Sequence, residues 1–129
     1  MKNKAAQKNR REPTKGHSLL WPADGFVILI TTTGSRREAD IIADKLVADG
    51  LAACVNVVQV DSTYKWKGNV ERAGEFMLLC KTRAGLAEKV ARRIKSFHSY
   101  DVPEIITIQI QKGGASYLDW MGEVLANTK

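Results

Sequence analysis

Two uninterrupted apolar runs of five residues each, Phe26-Val27-Ile28-Leu29-Ile30 and Phe76-Met77-Leu78-Leu79-Cys80, constrain this chain most. Both are too short to cross a bilayer and both are flanked by polar residues and glycines, so they read as β-strands. A strand in a half-exposed antiparallel sheet alternates polar and apolar residues. A strand without that alternation is covered on both faces. The fold must therefore cover two sides of these strands.

The segments between them supply the rest of the pattern. Ser35-Arg36-Arg37-Glu38 has capping-box spacing, which predicts a helix start with Ser35 accepting from the Glu38 amide and Glu38 reaching back. Ala39, Ile42, Ala43, Leu46 and Val47 then form one apolar stripe, and Gly50 closes the helix. Leu51 to Val60 reads as a strand, extended through Trp66 to a turn at Lys67-Gly68-Asn69, and Glu75 to Thr82 returns. A second helix carries Ala87, Val90, Ala91, Ile94 and Phe97 on one side. Pro103, which excludes helical backbone before it, opens a fourth strand running to Ile110. Gly113-Gly114 precedes a last helix with Tyr117, Leu118, Met121, Val124 and Leu125 inward.

The order βαββαβ plus a terminal helix predicts an α+β, ferredoxin-like split βαβ fold. Right-handed crossovers place the first and third strands at the sheet centre, and these are the two with apolar residues on both faces. Two crossover helices cover one face. The other is covered by the last helix or by further subunits.

Composition bounds the remaining possibilities. A length of 129 residues suits one domain, and an apolar fraction of 44% excludes a mainly disordered chain. No apolar run approaches the roughly 18 residues of a membrane span, and no secretory apolar core precedes Pro22. Cys54 and Cys80 form no C-x-x-C, so neither a zinc ribbon nor a disulfide framework is indicated, and a reducing, cytoplasmic location is expected. The net charge of +6 is concentrated: residues 1–15 hold six basic residues against Glu12, a net of +5. Residues 1–24 are accordingly expected to be a basic, disordered leader, and 25–129 the folded domain. Nucleic acid would meet such a chain only non-specifically, through the leader.

Four motifs in order, Leu51-Ala52-Ala53-Cys54-Val55-Asn56, Tyr64-x-Trp66-x-Gly68, His98-Ser99-Tyr100-Asp101-Val102-Pro103-Glu104 and Tyr117-Leu118-Asp119-Trp120, resemble the CutA family, the divalent-cation tolerance proteins. The resemblance runs from about Phe26 to Leu125. It implies a homotrimer whose sheets pack around a three-fold axis; with no apolar run of spanning length, no membrane partner is expected. It also implies a relation to copper or another divalent ion. Thr31, Phe97 and Ser99 stand where copper-associated relatives carry Cys, His and Pro, leaving His98 as the metal candidate of that set. Cys54 is a weaker candidate, because its apolar flanks favour a buried, inert thiol, as they do for Cys80.

Tyr64, Trp66, Glu75, Lys81, Thr82, Tyr100 and Glu104 match recurring polar and aromatic positions of the family and are candidates to line a cleft between subunits, with Lys81 and Glu104 as an ion pair. No nucleophile elbow, P-loop or H-E-x-x-H occurs, so catalysis is not expected. Gly113-Gly114 reads as a loop leading into the last helix, with phosphate binding through its amides as the alternative. The expected function is weak, non-catalytic binding of Cu²⁺ or another divalent ion by a trimer. A PII-like trimeric sensor of a small anionic metabolite in the inter-subunit clefts is the alternative. His98 alone, with oxygen donors, implies affinity of about micromolar or poorer.

Overall fold

The computed structural model describes residues 18–127. Most of the expected leader, His17 included, lies outside the described residues. Six strands and three helices follow in the order β1 (Leu20–Pro22), β2 (Phe26–Thr33), α1 (Arg36–Ala48), β3 (Cys54–Trp66), β4 (Asn69–Arg83), α2 (Ala87–Phe97), β5 (Ile106–Gln109), β6 (Lys112–Gly114) and α3 (Ala115–Val124), with a 3₁₀ turn at Ala84–Leu86.

The main antiparallel sheet has the order β3-β4-β2-β5, so the two strands with unbroken apolar runs are central, as the crossover rule requires. Register is unbroken: Leu29 faces Cys80 and Thr107, and Val57 faces Leu78. Cross-strand partners share a face, so Leu29, Leu78 and Cys80 point together toward the helices. There they meet Ala39, Ile42 and Leu46 of α1 and Val90 and Ile94 of α2, all fully buried.

The opposite face carries Ile28, Ile30, Val58, Met77, Leu79, Ile106 and Ile108 in register. It stays open toward both edge strands, where Val58 of β3 and Ile106 and Ile108 of β5 are 45%, 49% and 51% exposed. Helix α3 covers only one end of this face, where its Tyr117 meets Lys81 and its Gly122 carbonyl accepts from Arg83. Its Met121 joins Leu51 and Leu125 in the core cluster at the sheet's end, and the Ala126 amide bonds the Gly50 carbonyl at 2.8 Å.

Strands β3 and β4 outrun their neighbours. Strand β2 stops at Thr33, opposite Phe76, so residues 69–75 of β4 pair only with β3 and form a two-stranded arm. Lys67 and Gly68 close it with φ of 50° and 84°, the pair of positive angles that suits a two-residue hairpin turn.

Four details differ from the sequence expectation. Leu51, Ala52 and Ala53 are buried in the turn before β3 rather than in the strand itself. Strand β5 begins at Ile106, three residues after Pro103. Strands β1 and β6, neither of them anticipated, pair with Trp21 opposite Gly113, so part of the 1–24 segment is built into the fold. Gly113-Gly114 is thus strand as well as helix lead-in. Lastly, β2 lies between β4 and β5, so Lys81 and Glu104 are not on neighbouring strands.

Candidate functional site

The segment leaving α2 crosses the end of β2 and the start of α1, and this crossing gathers His98, Ser99, Tyr100, Glu38 and Glu75. His98 is the C-cap of α2 with extended backbone (φ −83°, ψ 138°), which turns the chain sharply off the helix. Its ring is fully buried, with Nε2 2.7 Å from the Thr32 carbonyl oxygen and Nδ1 3.1 Å from the Tyr100 amide. These partners fix the tautomer. A carbonyl can only accept, so Nε2 carries the proton, and the amide can only donate, so the Nδ1 lone pair is used.

Glu38, on the first turn of α1, holds the next residue. Its carboxylate accepts from the Ser99 amide at 2.7 Å and from the Ser99 hydroxyl at 2.9 Å, while its Oε2 lies 3.4 Å from His98 Nδ1. The Ser35 side chain accepts from the Glu38 amide at 3.2 Å, as the capping box predicts. The returning half of the box is replaced: the Glu38 carboxylate turns to Ser99, where two donors await it. Glu38 and Ser99 were therefore missed as site residues. The only local signal, capping-box spacing, assigns that carboxylate elsewhere.

Tyr100 completes the cluster. Its ring packs against His98 at 4.8 Å between centroids, and its hydroxyl donates to Glu75 Oε2 at 3.0 Å. Burial, then the hydrogen bond to Glu75 and that carboxylate's charge, push the phenol up to about 12, with Tyr64 and Glu38 adding to the effect. Gly34 makes the approach possible, since a Cβ there would meet the Tyr100 hydroxyl at 3.0 Å. Arg36 flanks this corner, its guanidinium 5.9 Å from the Phe76 ring centroid.

The structure divides the other candidates. Tyr64 and Trp66 lie on the protruding arm, 46% and 54% exposed. Lys81 sits at the far end of the sheet, where its Nζ lies 3.3 Å from the Tyr117 hydroxyl and 5.3 Å from that ring's centroid. Thr82 is fully buried and donates to the Leu51 carbonyl at 2.6 Å, which is a structural task. Glu104 is exposed before β5. One corner thus unites Glu75 and Tyr100, with Tyr64 close enough to act on the phenol's charge, while Lys81 and Thr82 belong to another end and Glu104 and Trp66 to neither.

For metal, the donor set does not form a tight centre within one chain. Among the described residues no three His, Cys, Asp or Glu side chains converge. His98 offers a metal no free lone pair, because ligation would break its bond to Thr32 or to Tyr100. Thr31 is fully buried and its hydroxyl finds no partner among the described residues. Cys80 faces the helices, and burial, aided by Cys54, pushes its thiol up to about 12. Cys54 is partly exposed on the open sheet face, its Sγ 3.9 Å from Asn56 Oδ1.

Comparison with known proteins places these features in a family. Residues 27–124 match the profile described as CutA1 divalent ion tolerance protein. The chain is 41% identical over 97 residues to the "Divalent-cation tolerance protein CutA" of Thermus thermophilus, covering 74% of this chain and 94% of that one. It is 36% identical over 96 residues to "Protein CutA, chloroplastic" of Arabidopsis thaliana, covering 74% of this chain and 53% of the plant protein; it spans about half the length of that relative. The solved structure of the periplasmic divalent cation tolerance protein CutA from Archaeoglobus fulgidus superposes with a TM-score of 0.75 at 37% identity, covering 77% of this chain and 97% of that chain.

Proposed function

This chain belongs to the CutA1 divalent ion tolerance family, and on that premise we propose that it is a homotrimeric, non-catalytic protein that takes up Cu²⁺ or another divalent ion weakly. The observation that carries the reading is the open sheet face. Ile106, Ile108 and Val58 are about half exposed beside Leu79 and Met77, an apolar surface continuous with two central strands. Contiguous apolar area of this kind marks an interface. A second copy presenting the same face removes it from water, and the arm at residues 60–75 extends far enough to reach a neighbouring sheet.

Tyr64, Glu75 and Tyr100 border this arm and would line the cleft between copies. Weak metal binding follows from the donors. With both nitrogens of His98 engaged and Glu75 buried with its Oε2 accepting from Tyr100, this corner offers an ion one further carboxylate oxygen, and the sheet face adds the partly exposed Cys54 thiol. Such a set falls short of the three or four convergent donors that make a tight site. The cation-tolerance names of the relatives favour this reading over a metabolite sensor. That Cys54 and Cys80 are not joined in a disulfide suits a reducing compartment, although relatives are named chloroplastic and periplasmic. Among the described residues no helix is long and apolar enough to cross a membrane.

Calorimetric titration with Cu²⁺ and Zn²⁺ tests the metal reading. Dissociation constants of about micromolar or poorer, with Cu²⁺ ahead as the divalent affinity order requires, support it. Nanomolar affinity abolished by His98→Gln would overturn it, because His98 would then have to be a ligand.

A further inference from the structure

The helix side of the domain, opposite the open sheet face, carries a separate feature. A groove of about 510 Å³ runs between α2 and the C-terminal end of α1, within the size range of small-molecule sites. Its floor is Leu51 and Ala126, and its polar wall is Lys89, Arg92, Arg93 and Ser96, with Asp49 opposite. Three cations face one carboxylate.

The spacing of these four α2 residues, i, i+3, i+4 and i+7, puts them on one flank of the helix, beside the buried stripe of Val90 and Ile94. That flank measures about 10 Å along the axis at 1.5 Å per residue. The side chains differ in how they are held. Arg93 is paired to Asp49 through one terminal nitrogen, which orients its guanidinium and leaves other N–H groups free. Arg92 meets Glu88 at 3.4 Å with both side chains 78% exposed, a pairing that an arriving anion can exchange. Lys89 has no ion-pair partner among the described residues. Ser96 donates to the Arg93 carbonyl at 2.7 Å, so its oxygen lone pairs remain to accept.

We propose that this groove binds a short phosphate chain, of the di- or triphosphate class. Guanidinium groups match phosphate oxygens in pairs, and a lysine adds a mobile point charge. The three cations span about 6 Å along the helix axis and Ser96 extends the polar flank to about 10 Å, a row longer than one phosphate that suits two or three linked phosphates. The groove lies on the helix side, so it stays accessible whether or not the open sheet face is occupied, and the proposal does not depend on the metal reading.

The test is calorimetry of the full 129-residue chain with inorganic tripolyphosphate at low salt, using orthophosphate for comparison. The double variant Lys89→Gln/Arg92→Gln is expected to bind tripolyphosphate at least tenfold more weakly while melting at the same temperature, since Arg92 is solvent-exposed. Orthophosphate is expected to bind the parent more weakly than tripolyphosphate. Because Lys2, Lys4 and Lys8 also carry charge, a variant with these three changed to Gln serves as control and should retain the affinity. Undiminished binding by the double variant, or loss of binding in the control variant alone, would overturn the proposal. Should the double variant melt early, backbone amide shifts on titrating the parent decide: shifts confined to residues 89–96 and 49–51 support the site, and shifts elsewhere exclude it.

Discussion

His98 Nε2 donates to the carbonyl oxygen of Thr32 at 2.7 Å, tying the end of α2 to the end of β2 across 66 residues of sequence. The ring that the sequence offers as a metal ligand is instead an anchor. It positions Ser99 for Glu38 and Tyr100 for Glu75, and so sets the geometry of the whole corner.

Replacing His98 by Ala leaves the Thr32 carbonyl and the Tyr100 amide without partners and opens a void under the Tyr100 ring. The expected loss of stability is about 2–4 kcal/mol, combining unsatisfied polar groups with lost packing. Urea denaturation measures it. Metal affinity should stay the same within error, which separates an anchor from a ligand.

Thr31 gives the opposite sign. Its hydroxyl is buried with no partner among the described residues, and it lies on the helix-facing side opposite Leu78. Thr31→Val keeps the shape and removes the unsatisfied group, so stability should rise by about 1 kcal/mol. A fall in melting temperature would show that the hydroxyl is bonded in solution.

Much of this was legible in the sequence, and what was not has a common physical cause. Apolar runs place β2 and β4 at the centre because burial on both faces abolishes alternation, a property each strand carries in its own residues. Ser35 caps α1 through a contact three residues away, which spacing can reveal. The Glu38–Ser99 pairing spans 61 residues and depends on the path of the chain after α2, so local spacing assigned that carboxylate to the wrong partner. Strand β1 was invisible for the same reason: Leu20-Trp21-Pro22 is short and ends in proline, and it is a strand only because Gly113 and its neighbours lie beside it. The tautomer of His98 likewise follows from Thr32 and Tyr100, not from any residue type.

Alkaline pH should weaken the fold through two groups. Tyr100 titrates at about 12 in the folded protein against an ordinary 10, and Cys80 at about 12 against 9. In each the folded state favours the neutral, protonated form. Their contributions are complete below pH 9 to 10 and are lost as pH rises toward 12. Melting temperature should therefore fall across that window, and Tyr100→Phe, which removes one of the two titrations, should fall less steeply from its own starting value. Equal slopes in the two proteins would show that the phenol does not contribute.

The two faces of β4 should respond differently to charge. Leu78 points into the helix-covered core and is fully buried, so Leu78→Lys should prevent folding, a buried unpaired charge costing several kcal/mol. Ile108, about half exposed on the open face, tolerates charge within one chain but not against a second copy. Ile108→Lys should keep its far-ultraviolet circular dichroism yet lose assembly, as sedimentation would show. An Ile108→Lys protein with the parent's mass would place the interface elsewhere.

The assembly itself is the most direct test. Light scattering of the 129-residue chain over a wide dilution series should give three times the 14.3 kDa chain mass at every concentration, as the trimer proposed to cover the open apolar face of the β3-β4-β2-β5 sheet requires. A mass of one chain throughout the series, with the fold intact, would contradict the account.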